Sequence, residues 1–141
     1  MKVRSRTARF GVSLEERLLK RFDGVIARKG YANRSEAIRD LIRDSLVNEE
    51  WEDDARETVA TLTLVYDHGT HELTEKLTDL QHSFHEHVIS AVHVHLDAHN
   101  CLEVLILRGR SGEIRRHAEL LASVKGVKHG KLTMTSTGKQ I

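Results

Sequence analysis

Proline is absent from the 141 residues, cysteine occurs once, at Cys101, and no apolar run approaches the length of a membrane span. Without proline nothing reads as collagen or as a stiff extended linker. A single cysteine rules out an intrachain disulfide, so its thiol is inert, reactive or a metal ligand. A span needs about eighteen consecutive apolar residues, and a secretory signal needs an apolar segment behind its basic start. MKVRSRTARF is followed by neither, which predicts a soluble, cytoplasmic protein with no membrane partner. No internal repeat or low-complexity tract is evident either.

Apolar residues make up 39% and charged residues 30%, which places the chain among globular proteins. Its length suits one ordinary domain or two small ones, and small cores are completed by association. The net charge of +1 hides an asymmetry. Residues 1–47 carry 12 Lys/Arg against 6 Asp/Glu, a net of +6, while residues 48–141 carry 10 against 15, a net of −5. A basic segment joined to an acidic one points to a polyanionic partner for the first part alone.

Residues 1–7 read as a flexible basic arm. From Ala8 to Leu14 the pattern alternates, with Phe10, Val12 and Leu14 on one face and Arg9, Gly11 and Ser13 on the other, as in a half-buried strand. Ser13 with Glu16 forms a capping-box pattern before a helix whose stripe is Leu14, Leu18, Phe22, Val25 and Ile26, stopping near Gly30. Asn33 with Glu36 opens a second helix, with Ile38, Leu41, Ile42 and Leu46 on its apolar side. A lone strand with two short helices closes no core. Two copies of residues 8–50 would pair their strands antiparallel, bury Phe10 and Val12, and present Arg9, Gly11 and Ser13 on a ribbon that fits the major groove of DNA.

Residues 51–57 are acidic and read as a linker. Residues 58–141 then show strand, helix, strand, strand, helix, strand: Ala60–Tyr66, about 72–84, Val88–Leu96, Cys101–Leu107, about 113–124 and 131–135. This is the split βαβ order of a ferredoxin-like α+β domain. Helices should cover one sheet face and leave the other free.

Six histidines fall within the eighteen residues from His82 to His99, beside Cys101. Alternation puts Val92, Val94 and Leu96 on one face, the expected core face, and His93 and His95 on the other. Across the hairpin, Cys101 shares a face with Glu103, while Leu102, Val104 and Ile106 should point to the core. An HxH on a strand or a lone cysteine has an ordinary explanation by itself. Together, two imidazoles and a thiol on one face suit a late first-row divalent ion, with nickel, copper and zinc all admissible. A fourth ligand is wanted. His82 lies opposite the helix stripe of Leu73, Leu77, Leu80 and Phe84, so it is either solvated or aimed at another subunit. His85 and His87 fit a surface or supporting role better than ligation, and His99, in the turn, could compete with His95.

The segments RFGVSL and GYANRSEAIRDLIRDSL, followed by Gln81-His82, His93-x-His95 and Cys101 in HNCLEV, closely resemble the nickel-responsive ribbon-helix-helix transcriptional regulators, the NikR family. The likeness extends over nearly all of residues 8–135. It implies a DNA-binding repressor, a square-planar nickel site of His93, His95 and Cys101 with His82 from the opposing subunit, and one Ni(II) per chain. It also implies an ACT-like central tetramer, a dimer of dimers, reading palindromic operator half-sites in double-stranded DNA, and a second cation held by Glu36 and Asp40 between the two domains. Gly11 and the basic arm depart from the family pattern. The competing reading, a metal store or carrier, leaves the ribbon segment without purpose. A metallo-hydrolase would need an open coordination position that four filled ligand places deny, so no enzyme is expected.

Overall fold

A computed structural model describes residues 6–141. Its elements are α1 (Glu16–Lys29), α2 (Arg34–Glu52), β1 (Glu57–Asp67), α3 (His71–Ser83), β2 (Val88–His95), β3 (Asn100–Arg110), α4 (Ser111–Ala122) and β4 (Val127–Thr135). Two compact units emerge, Met1–Ile42 and Arg43–Ile141, with the boundary inside α2.

In the first unit, α1 ends where sequence predicts. Gly30 takes the left-handed conformation at φ 75° that glycine adopts without a Cβ penalty, and its N–H and that of Tyr31 close on the carbonyls of Ala27 and Ile26. The α1 start differs from the expected Ser13–Glu16 box: Glu15 is the cap residue and no side chain bonds there. The α2 start holds, since Asn33 Oδ1 accepts the Glu36 N–H at 3.0 Å, while the Glu36 carboxylate reaches the N–H of Ala32 at 3.4 Å. Residues 8–14 form no ladder in the single chain. Phe10, Val12 and Leu14 remain 70%, 60% and 45% exposed, because a strand with no neighbour has nothing to pair with or to cover. Among the described residues of this unit, Ile26 and Ala37 are the buried apolar ones.

The second unit is a four-stranded antiparallel sheet ordered β2-β3-β1-β4, the ferredoxin-like arrangement, with α3 and α4 on one face. Ala60, Leu62, Leu64 and Tyr66 of β1 alternate into a core shared with Leu73 and Leu77 of α3 and with Ile114, Ala118 and Leu121 of α4. Trp51, at the end of α2, is buried in the same core. Its indole N–H donates to the Thr135 carbonyl at 2.7 Å, and its own carbonyl accepts from Arg115. Residues 53–56 fold over the start of α4, where Ser111 Oγ donates to the Asp53 carbonyl at 2.8 Å.

The face assignment of the hairpin is the reverse of that expected. Cys101, Glu103, Leu105 and Leu107 are the buried residues of β3, while Leu102, Val104 and Ile106 line the open face. Val92, Val94 and Leu96, expected in the core, are 52%, 46% and 54% exposed. There are two reasons. From Cys101 to Leu107 both faces of β3 are apolar save Glu103, so alternation alone does not choose between them. In β2 the register shifts between Val88 and Ser90: Val88 packs on the core opposite Leu107, but the irregularity inverts parity, so His93 and His95 continue the Val88 face and Val92 and Val94 do not.

Candidate metal centre

The hairpin between β2 and β3 is set by Asp97. Its carboxylate accepts the Asn100 side-chain N–H and the backbone N–H groups of Asn100 and His99, at 2.7–2.9 Å, and these bonds hold the carboxyl well below the usual range. The turn fixes register, so His95 stands directly opposite Cys101 and His93 opposite Glu103. Directly opposed residues share a face, and three of the four expected ligands therefore lie together at one end of the hairpin. The His93 and His95 rings are 5.3 Å apart. Both residues are exposed on the edge strand, whereas Cys101 is fully buried.

That burial sets the thiol's state. Desolvation, with the nearby carboxylates of Glu103 and Asp67, pushes the Cys101 pKa up, although contacts with Tyr66 oppose it. Cys101 Sγ donates to the Tyr66 carbonyl at 3.4 Å. The donor set, two exposed imidazoles beside a thiol protonated until an ion displaces its proton, fits a late divalent metal.

Glu103 is a buried carboxylate, on the face that a charged residue marks as solvent-facing in the sequence. Tyr66 Oη donates to one oxygen at 2.6 Å and Gln81 Nε2 to the other at 2.9 Å. Burial first, then this bond, raises the Tyr66 pKa. The alternation of β1 contained the signal, since a phenol on a core face needs an acceptor. Gln81 belongs to α3, so the bond ties the C-terminal part of that helix to the sheet beside His93. His68, unpartnered in the sequence, packs edge-on against His95 at 4.5 Å and its Nδ1 is buried without a partner.

His82 is exposed on the side of α3 away from Leu73 and Leu77. Among the described residues no group of three or more His, Cys, Asp or Glu side chains is placed to hold an ion within the single chain: His93, His95 and Cys101 share a face without forming such a group, and His82 completes none. His85 and His99 are also exposed. In the first unit Arg9, Gly11 and Ser13 are exposed, and an open groove of 1240 Å³ lies between residues 7–14 and the two helices, lined by Phe10, Val12, Leu14, Phe22, Ile38 and Ile42. Of the expected second pair, Asp40 accepts a 2.8 Å bond from the Tyr31 hydroxyl, and Glu36 serves the α2 start. Among the described residues no helix is long and apolar enough to cross a membrane.

Comparison with known proteins bears on both units. Residues 8–49 match the ribbon-helix-helix protein family, and residues 59–135 match the NikR C-terminal nickel binding domain. A protein of Geobacter sulfurreducens assigned as a nickel-responsive regulator is 62% identical over 96% of this chain and 97% of its own. Relatives assigned likewise, from Geotalea uraniireducens and Thermococcus onnurineus, are 59% and 52% identical over at least 94% of this chain and 96% of theirs. The fold, though not the sequence, of an uncharacterized protein from Thermotoga maritima is similar to 57% of this chain and all of that one, with a TM-score of 0.52 at 18% identity. With two family matches in order along the chain and relatives more than half identical over nearly its full length, the protein belongs to the nickel-responsive regulators, a ribbon-helix-helix DNA-binding segment joined to a NikR-type nickel-binding domain.

Proposed function

We propose that this regulator is a cytoplasmic transcriptional repressor that works as a homotetramer, a dimer of dimers, and binds one Ni(II) per chain through His93, His95, Cys101 and His82 of a second copy. The observation that carries the reading is that His93, His95 and Cys101 share one face of one hairpin, while no group able to hold an ion forms among the described residues of the single chain and His82 is exposed. A bound ion supplies a bond network that closes only between chains. His93 and His95 offer neutral imidazoles at the edge strand, and Cys101 gives up its proton and offers the thiolate. Asp97 keeps the hairpin in register, and Gln81, through Glu103, steadies the helix that carries His82. Joining chains in this way sets the separation of their DNA-binding segments and so couples occupancy to operator binding.

In the first unit, a second copy of residues 8–14 completes the ribbon and fills the groove beside Phe10 and Val12. Arg9 and Ser13 then reach base edges of palindromic half-sites in double-stranded DNA, and Gly11 lets the backbone approach. Glu36 and Asp40 hold a second, weaker cation.

Mixed oligomers test the trans arrangement. A Cys101→Ser chain should lose the sulfur-to-nickel charge-transfer absorption and about 100-fold or more in nickel affinity, because a hydroxyl is a harder and poorly ionised donor. A His82→Ala chain should lose the four-ligand spectrum as well. Mixed and shown to have exchanged subunits, the two should regain part of the absorption, together with nickel-dependent retardation of operator DNA. No recovery would place His82 in cis or outside the site, and an unchanged band in Cys101→Ser would remove the thiolate from it.

A further inference from the structure

The turn from α3 into β2 is held by two imidazoles that the metal site does not use. Phe84, which caps α3, is buried, and its ring lies flat on that of His117 from α4, with centroids 4.1 Å apart and planes within 5°. His87 leans on the same ring at 5.1 Å. His87 is itself closely housed. Its Nδ1 lies 3.2 Å from the Arg108 carbonyl and its Nε2 3.5 Å from a Glu113 carboxylate oxygen. It passes so close to Gly109, at φ 158°, that a Cβ there would meet Nδ1 at 2.4 Å.

The two rings are housed differently. His87 has an oxygen within reach of each ring nitrogen. His117 cannot carry a charge cheaply, because its Nδ1 is buried with no partner. The charged or titratable groups bearing on it are His87 from the turn and Glu113 and Arg116 from α4. Arg108 of β3 lends His87 only its carbonyl, its guanidinium being paired with Glu57 at 2.7 Å. Burial first, then His87, lowers the His117 pKa, and Glu113 opposes this.

We propose that the Phe84–His117 stack, backed by His87 and Glu113, is a proton-sensitive latch on the C-terminal end of α3. While His117 is neutral, the stack docks the end of the helix on α4. An undocked His117 is solvated and takes a proton at the ordinary imidazole value, about 6.5, whereas the docked ring resists it. Docking strength is therefore fully present above that value and is lost as the pH falls through it, about tenfold per unit until the docked ring also titrates. His82 lies two residues before Phe84, so acid would loosen the residue proposed to join chains. That consequence rests on the nickel reading; the latch does not.

The test uses full-length, metal-free protein. Amide hydrogen exchange of residues 80–87, expressed as protection factors, is compared at about pH 7.5 and about pH 5.5, on either side of the imidazole range. Protection should fall in the wild type, by no more than about tenfold for the one pH unit below the ordinary imidazole value. In His117→Phe, which keeps a flat ring for Phe84 but cannot titrate, it should stay constant. An equal fall in His117→Phe, or no fall in the wild type, overturns the latch. The His117 titration followed by NMR in the wild type decides the matter even if the variant does not fold: a value below the ordinary one is expected, and an ordinary or raised value overturns the proposal. Because no metal is present, failure here leaves the nickel site standing, and failure of the mixed-oligomer test leaves the latch standing.

Discussion

In residues 6–42 the large apolar side chains Phe10, Val12, Leu14, Leu18, Leu41 and Ile42 lie at the surface, whereas in residues 43–141 two helices and a sheet enclose a core from Trp51 to Val124. The first unit lacks a core until something covers it. The second has its core but leaves the donors proposed for nickel ungathered, with His82 exposed and Cys101 buried. Both deficits point to other copies of the chain, yet they differ in kind. The first is a deficit of apolar contact and should respond to chain concentration. The second is a deficit of ligands and should respond to an ion.

The sharpest way to separate the two is a pair of truncations. Phe10→Ala should leave the sheet unit's unfolding unchanged but weaken the proposed ribbon dimer by about 3–5 kcal/mol, since its ring is exposed in the single chain and would be covered in that dimer. Leu62→Ala should cost about 2–5 kcal/mol in the sheet unit at any concentration. Denaturation at several protein concentrations, alongside operator binding, distinguishes them. A concentration-independent loss in Phe10→Ala would mean that Phe10 is covered within its own chain.

A smaller effect probes how the second unit tolerates a buried carboxylate. Gln81→Ala removes one of the two donors on Glu103 and should cost about 1–3 kcal/mol in metal-free protein, the penalty for leaving a buried acceptor short of a partner. No loss in a urea titration would mean that water takes the place of Gln81. Operator binding by the first unit without metal should not change.

The smallest effect lies on the ribbon and touches neither core. Arg9→Ala should reduce discrimination between operator and random DNA by about 1–3 kcal/mol, with little change in stability. Equal weakening on both DNAs in a competition mobility assay would make Arg9 a phosphate contact. Specific and non-specific binding alike should weaken as salt rises, because the +6 charge lies in residues 1–47.

Much of this organisation is local and could be read along the chain. The Gly30 stop and the Asn33 cap depend on neighbours a few residues away, and the structure has both. The β-α-β-β-α-β order follows from alternation and helical spacing. That His95 and Cys101 share a face follows from a short hairpin whose turn Asp97 closes. Spacing likewise put His82 opposite the buried stripe of its helix. The α1 start, where the expected Ser13 cap is not used, shows how little a cap pattern weighs when the residues before it have no strand partner to hold them.

What alternation could not decide is which face of the hairpin meets the helices. Glu103 made the buried face look like the solvent face, and only Tyr66 and Gln81, 37 and 22 residues away, make its burial tolerable. One irregularity near Ile89 then inverted the parity of β2, so that Val88 and not Val92 or Val94 joins the core face with His93 and His95. Period-two patterning reports which residues lie together; it does not report what lies above them. For His68 against His95, and for His117 between Phe84 and His87, no spacing rule applies at all, because those rings meet only when strands and helices distant in sequence have packed. The sequence by itself thus determined the helices and the four strands of the sheet, the caps that work and the shared face of three donors. Only the tertiary structure decided which face is buried and what each imidazole touches, because burial is a property of the whole packed unit and periodicity is a property of one segment.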